Sequence, residues 1–433
     1  MSTGVRSAVG MSACFAVLLA AGVAFGQEAA EVSTLNAGDT AWILTSSALV
    51  LMMTVPGLAL FYAGLVRAKN TLSILMQCMI SAGVVGVVWV LLGYSLAFDA
   101  GNQFIGGPGK IALSGITPET LSGTIPEFTF CMFQAMFAII TPTLMIGAFA
   151  ERMRFGPYLA FISLWLLIVY APLAHMVWGG GWIGAELGAK DFAGGLVVHM
   201  SSGFSALVAA IFIGKRRGFG KEPMPPHSLP LTVIGAALLW VGWFGFNAGS
   251  ALAANGVAAL AFLTTNTAAA TALVCWVTIE WLHRGKPTVL GAATAAVAGL
   301  VAITPGCAFV TPLGSIAIGF GAAALCYAAV TVLKPAAGYD DSLDVFGVHG
   351  VGGTWGAVAT GLFLASWAAE EGVTWGEQVW RQLVSVGFTA VFACFLTFAI
   401  LLVLRWLFGS LRLRDEDENA GIDLVEHSEN AYA

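Results

Sequence analysis

Charge is what this sequence has least of. Asp, Glu, Lys and Arg make up 10% of its 433 residues, against about 25% in a soluble domain, and the deficit runs nearly the whole length. A water-facing globular surface is excluded. With 58% hydrophobic residues and a mean hydropathy of +0.86 the chain reads as a membrane protein. Hydrophobic stretches of about 20 residues, each able to cross a hydrocarbon core of about 30 Å, recur from residue 41 to residue 407. Short alternating strands are missing, so the spans are helices. Paired cysteines are missing too. The seven cysteines (Cys14, Cys78, Cys131, Cys275, Cys307, Cys326, Cys394) include no C-x-x-C, which argues against a disulfide framework or a metal site. No Pro/Ser-rich linker and no soluble domain interrupts the spans.

What is present can be ordered along the chain. Arg6, an apolar run from Met11 to Ala24 and the small residues before Gln27 have the form of a signal peptide over 1–26, the alternative being a further membrane helix. Eleven spans come next, at about 41–65, 71–98, 128–150, 157–178, 192–214, 230–249, 256–281, 288–305, 312–333, 345–367 and 382–407. One membrane domain, 27–407, therefore precedes a tail, 408–433. Fourteen of the 18 Lys and Arg fall on alternate loops of one side, leaving Lys110, Lys190 and Arg381 opposite and Arg6 in the leader. That asymmetry predicts an outside N-terminus and a cytoplasmic C-terminus. The tail segment 415–433 holds seven carboxylates and no Lys or Arg, and is expected to be solvated.

Two histidines stand out against this background. His199 in "DFAGGLVVHMSSG" and His349 in "DVFGVHGVGG" are each followed four residues later by glycine (Gly203, Gly353), in spans five and ten. Spans five apart enter from opposite sides, so the match predicts two inverted five-helix repeats with an added C-terminal helix. At about 1.5 Å per residue both rings lie inside the hydrocarbon slab. A single buried imidazole can serve packing alone, whereas a matched pair points to a substrate or proton pathway, because imidazoles share, donate and accept protons. Asp191 and Asp344, just before each span, are read as helix N-terminal caps, Asp191 also biasing the outer mouth negative. No third ligand lies at comparable depth, so no metal is implied. "GVHGVGGTWG" (347–356) lacks the lysine and preceding strand of a phosphate loop. No nucleophile accompanies the histidines, which argues against an enzyme.

Aromatic clusters at "FCMFQAMF" (130–137), "HMVWGGGW" (175–182) and "GWFGFNAGS" (242–250) form the second signal. Many of the 14 tryptophans are ordinary interfacial anchors. Phe137, Trp178 and Phe246, however, sit beside glycines and hydroxyls. Such a mouth holds a cation on ring faces, adding about 2 kcal/mol when desolvated, without a carboxylate to trap it.

Several longer motifs carry a resemblance: "GLALFYAGLVRAKN" (57–70), "AFAERMRF" (148–155), "PLAHMVWGGGW" (172–182), "DFAGGLVVH" (191–199), "GWFGFNAGSA" (242–251) and "DVFGVHGVGG" (344–353). From about residue 40 to the tail the chain resembles the Amt/Mep/Rh ammonium transporter family, bacterial AmtB type. The resemblance implies an all-α homotrimer in a bacterial inner membrane, each subunit with its own pore for ammonium, ammonia and methylammonium. It places an outer recruitment site on Phe133, Phe137, Trp178 and Ser250, supported by Asp191. A phenyl gate falls on Phe137 and Phe246, a pore-lining tryptophan on Trp243, and the lumenal histidines on His199 and His349. Thr294 stands where relatives often have serine. The tail and inner loops resemble the surface that docks a PII-type signalling protein, although composition alone would make the tail a disordered segment. No cofactor and no nucleic acid is implied. The other function to weigh is an ammonium sensor signalling through its tail.

Overall fold

In a bilayer every backbone N–H and C=O must be satisfied within its own segment, which makes long apolar runs helical. The computed structural model describes residues 34–432; the leader expected over 1–26 lies outside the described residues. Nine helices among them are long and apolar enough to cross a membrane. They are α1 (Ala37–Leu65), α2 (Ala68–Phe98), α3 (Glu127–Phe149), α4 (Phe155–Glu186), α5 (Gly195–Ile213), α6 (Leu229–Gly249), α7 (Gly256–Arg284), α9 (Pro312–Ala337) and α11 (Trp375–Phe408). The spans expected over 288–305 and 345–367 fall on shorter helices, α8 (Val289–Ile303) and α10, in which Phe346–Gly350 runs on into Val351–Leu362. The chain is a multi-pass helical membrane protein. Its longest loop, before α3, holds a two-residue antiparallel hairpin pairing Leu121 with Pro126.

Sequence explains several helix ends and irregularities. Asn36 caps α1 by accepting from Asp39 N, Asn255 caps α7, and Thr374 caps α11 by accepting from Glu377 N, each supplying a side-chain oxygen to an orphan amide. Pro56 has no N–H to give, and α1 widens into a π-turn over Met53–Leu58 around it. The helices α5 and α10 run in opposite directions. α5 starts beside Lys190 and Asp191 and ends at Gly214, whose carbonyl accepts from Arg152 Nε at 2.8 Å. α10 starts beside Asp341, in the cluster around Arg152, and ends where Gly361 abuts α11 near Gln382.

The basic loops meet on the side of the chain where the tail lies. There Glu151, buried and in the left-handed backbone region at φ 70°, takes Arg67 at 2.8 Å and Arg216 at 3.3 Å. Arg216 also grips Asp340 at 2.8 Å. Burial alone would push the Glu151 carboxyl up, but Arg216 and Arg67 hold it below its usual range. Arg152 is fully buried and donates to the carbonyls of Ala148, Ala150, Gly214 and Asp340 and to Ser342 Oγ.

The tail corrects an expectation. It is not a solvated strand of carboxylates: two short helices, α12 (Asp415–Ala420) and α13 (Ile422–His427), pack against this loop cluster. Asp423 accepts the amides of Leu72 and Ser73 at 3.0 and 2.8 Å, capping the first turn of the α-helix that begins at Thr71. Glu418, buried, takes Arg412 at 2.5 Å and the Arg217 amide at 2.6 Å. Lys69 donates to the carbonyls of Glu418 and Asn419. Helix-end amides and unpaired guanidinium groups attract the acidic residues that composition alone assigns to solvent.

Candidate functional site

The centre of the molecule is built where α5 meets α10. The Asp191 carboxylate, buried just ahead of α5, accepts the amides of Gly194, Gly195, Leu196 and Val197 at 2.9, 2.6, 2.7 and 3.2 Å. Burial pushes that carboxyl up while the four amides draw it down. Gly194, at φ 114°, makes the turn into the helix, a conformation that glycine adopts without strain.

At α10 the expected cap was Asp344, and this is corrected. Asp344 lies in the left-handed region at φ 60° and its carboxylate pairs with Lys334 at 2.6 Å. The cap is Asp341, which accepts the Phe346 amide at 2.7 Å. Asp341 precedes His349 by the same eight positions that separate Asp191 from His199, so the spacing itself carried the signal.

Reciprocal glycines let the two helices cross. A side chain on Gly203 would overlap the backbone of His349 and Gly350, and one on Gly353 would lie 3.0 Å from Gly195 O and from His199 Cβ. The crossing brings His199 Nδ1 to 3.1 Å from His349 Nδ1, with ring centroids 5.2 Å apart at 24°. One nitrogen donates and the other accepts, so the pair shares one hydrogen and its tautomers are complementary. His199 Nε2 is buried and has no partner among the described residues.

Aromatic rings continue the line away from the histidines. Trp243 stacks on His199 at 5.3 Å and 20°, and its Nε1 donates to Thr304 Oγ1 at 2.9 Å. Phe246 lies 6.0 Å from His199 and stacks on Phe137 at 4.2 Å and 30°. Phe137 in turn touches Phe133 at 5.0 Å and Trp178 at 6.0 Å, both edge to face. Phe133, Phe137 and Phe246 are fully buried, whereas Trp178 is half-buried. Trp178 Nε1 donates to the Asp191 carbonyl at 2.8 Å, which ties the outermost ring to the cap of α5. Ser250 ends α6 next to Gly249, which abuts the Phe133 ring; the Ser250 hydroxyl donates to Phe246 O at 2.8 Å. Phe133, Phe137, Trp178, Asp191, Ser250, Phe246, Trp243, His199 and His349 are thus linked by consecutive contacts, whereas Asp344 and Thr294 are not.

On the tail side of the stack, His199, His349, Trp243, Phe246, Phe61, Leu239 and Val297 enclose a narrow void of about 10 Å³, near the minimum for one water-sized occupant. Beyond it a vestibule of about 470 Å³ opens toward the basic loops, with His349 at its inner end and Thr294, Asp344, Glu280 and Arg284 in its walls. Sequence reasoning missed Thr304, Phe61, Leu239 and Val297. The last three are ordinary core residue types, and nothing short of their placement marks them.

The Ammonium Transporter Family profile matches residues 41–432. An ammonium transporter of Bacillus subtilis is 51% identical over 91% of this chain and 98% of its own length, and one of Mycobacterium bovis is 46% identical over 92% and 90%. Among solved structures, Mep2 of Candida albicans superposes with a TM-score of 0.83 at 38% identity, covering 92% of this chain and 91% of that one. A protein described as a sensor Amt protein does so at 0.84 with 30% identity, covering 90% and 98%. A profile match over nine-tenths of the length, relatives near half-identical and a shared fold agree with the motifs, and the chain belongs to the ammonium transporter family.

Proposed function

We propose that the chain recruits NH4+ on the faces of Phe133, Phe137 and Trp178 with the Ser250 hydroxyl, with Asp191 supporting this outer site. The cation is deprotonated there, and NH3 passes the Phe137–Phe246 gate along Trp243, His199 and His349 into the cytoplasmic vestibule. The observation that carries this reading is the unbroken contact path from a half-exposed aromatic mouth to a hydrogen-bonded histidine pair at the inner end of an open vestibule. Among the described residues no carboxylate lines the void between gate and vestibule, so none of them holds a permanent cation there. Potassium cannot shed a proton to become neutral, and selectivity follows from that chemistry as well as from radius. Net proton movement through the histidines fits a pair that shares one hydrogen.

In this reading eleven spans form two inverted five-helix halves and a final helix, the tail side is cytoplasmic and the membrane is the bacterial inner membrane. The matched Asp–His–Gly order in antiparallel α5 and α10 supports the inversion, and the arginine-rich loops beside the tail support the orientation. Family resemblance supports a homotrimer and a PII-type partner at the cytoplasmic face.

The test is methylammonium flux into proteoliposomes. Trp178→Leu removes a ring face worth about 1–2 kcal/mol, roughly a five- to thirtyfold loss of apparent affinity. His199→Ala with His349→Ala should abolish the ammonium-evoked current. An unmodified protein that passes no methylammonium would sink the transporter reading. A second reading, an ammonium sensor acting through its docked tail, draws on the 30% identical sensor Amt structure. Binding of ammonium without flux would favour it.

A further inference from the structure

Two buried glutamines on the last membrane helix lie apart from the aromatic and histidine path, yet they bond to the segment that supports it. Gln382 is fully buried on α11. Its Oε1 accepts the Lys190 amide at 2.6 Å, and its Nε2 donates to the Lys190 carbonyl at 2.8 Å, so one side-chain amide closes on both backbone groups of a single residue. The same Nε2 donates its second hydrogen to Ala357 O at 2.9 Å. One turn earlier, Gln378 donates to Gly188 O at 3.2 Å and to Gln382 Oε1 at 3.2 Å. Gly361 lets α10 lie against this stretch, a side chain there meeting Gln382 Cγ at 3.0 Å.

Lys190 and Ala357 matter through their neighbours in the chain. Lys190 is the residue before Asp191, whose carboxylate caps the His199 helix and whose carbonyl holds Trp178. Ala357 is in the helix that carries His349, eight positions on. The two-point contact fixes the two successive peptide units that meet at Lys190, as a β-ladder pair would, and the third bond ties them to the other histidine helix.

We infer that Gln382 is a positioning residue: it holds the backbone on both sides of Lys190 so that Asp191 and Trp178 meet the recruitment site in fixed register with the His199–His349 pair, and thereby sets the apparent affinity for the cation. This rests on the transport reading above. A purely structural glutamine would change stability and maximal rate without separating affinity from rate.

Gln382→Glu keeps the shape and an acceptor for Lys190 N but loses both donors while ionised; protonated, it regains one. The charged groups on the segments it joins are Asp191, next to Lys190 in the chain, and Lys190, Arg381, Glu370 and Glu377, which pair with one another. Two readouts are taken on the full-length protein. Hydrogen exchange of residues 188–197 should be quicker in the variant at about pH 8 and slow again as the pH falls to about 5, relative to the unmodified protein. In vesicles the KM for methylammonium should rise roughly tenfold with a maximal rate within about twofold, and recover on acidification in parallel with exchange. Gln378→Leu, which leaves Gln382 in place, should move KM less than about twofold. Unchanged exchange in Gln382→Glu, or faster exchange with KM unmoved, would overturn the inference. Absence of flux in the unmodified protein would remove the transport reading instead, with exchange still deciding whether Gln382 holds the segment.

Discussion

At the scale of single residues, the crossing of α5 and α10 depends on the absence of side chains. Gly203 faces the peptide between His349 and Gly350, and backbone cannot yield as a flexible side chain can. Gly203→Ala should therefore separate the helices, break the 3.1 Å imidazole contact and cost about 1–3 kcal/mol as overpacking. Thermal unfolding in detergent measures the loss, and methylammonium flux falls with it. His199, His349, Trp178 and the phenylalanines were legible from the sequence because each is conspicuous against an apolar, glycine-rich background. Thr304 was not: a threonine inside a membrane helix usually bonds its own carbonyl four residues back, and this one does so as well, to Leu300 O at 2.8 Å, while also receiving Trp243.

At the scale of elements, the helix starts decide where charge resides. Asp341 is buried, and burial first, then Asp344, pushes its carboxyl up to about 6, with Lys334 opposing. The folded protein thus holds this proton more tightly than the unfolded chain, whose aspartates titrate near about 3.9. Stability from this group falls as pH rises from about 4 through about 6 and is level above that. Asp341→Asn should flatten that part of the melting-temperature profile. Glu151 and Asp340, held down by their arginines against burial, act with the opposite sign, losing their contribution as pH falls. Existence and order of the nine long helices were legible, because period and length suffice for that. Helix boundaries were less so. The expected span 157–178 extends as Phe155–Glu186 and 382–407 as Trp375–Phe408, since polar ends of a membrane helix project beyond the apolar run that reveals it. Asp344 is the carboxylate directly before its span, but the eight-residue spacing of Asp191 to His199 is repeated by Asp341 and His349, and Asp341 is the cap.

At the scale of the whole molecule, the tail joins loops that are far apart in sequence. The Asp423 contacts span about 350 positions, and no local pattern announces such a partner, so composition alone made the tail solvent. Asp423→Ala uncaps the first turn at Thr71, a loss of about 0.5–2 kcal/mol. Limited proteolysis should show the tail cut faster in that variant, with the membrane core intact. The paired caps carry a different implication. The amino ends of α5 and α10 lie on opposite sides of the molecule, each positive end is met by its own carboxylate, Asp191 or Asp341, and the helices point in opposite senses. Their dipoles therefore largely oppose one another, and the His199–His349 pair, at the crossing of the two helices, sits where the two contributions offset.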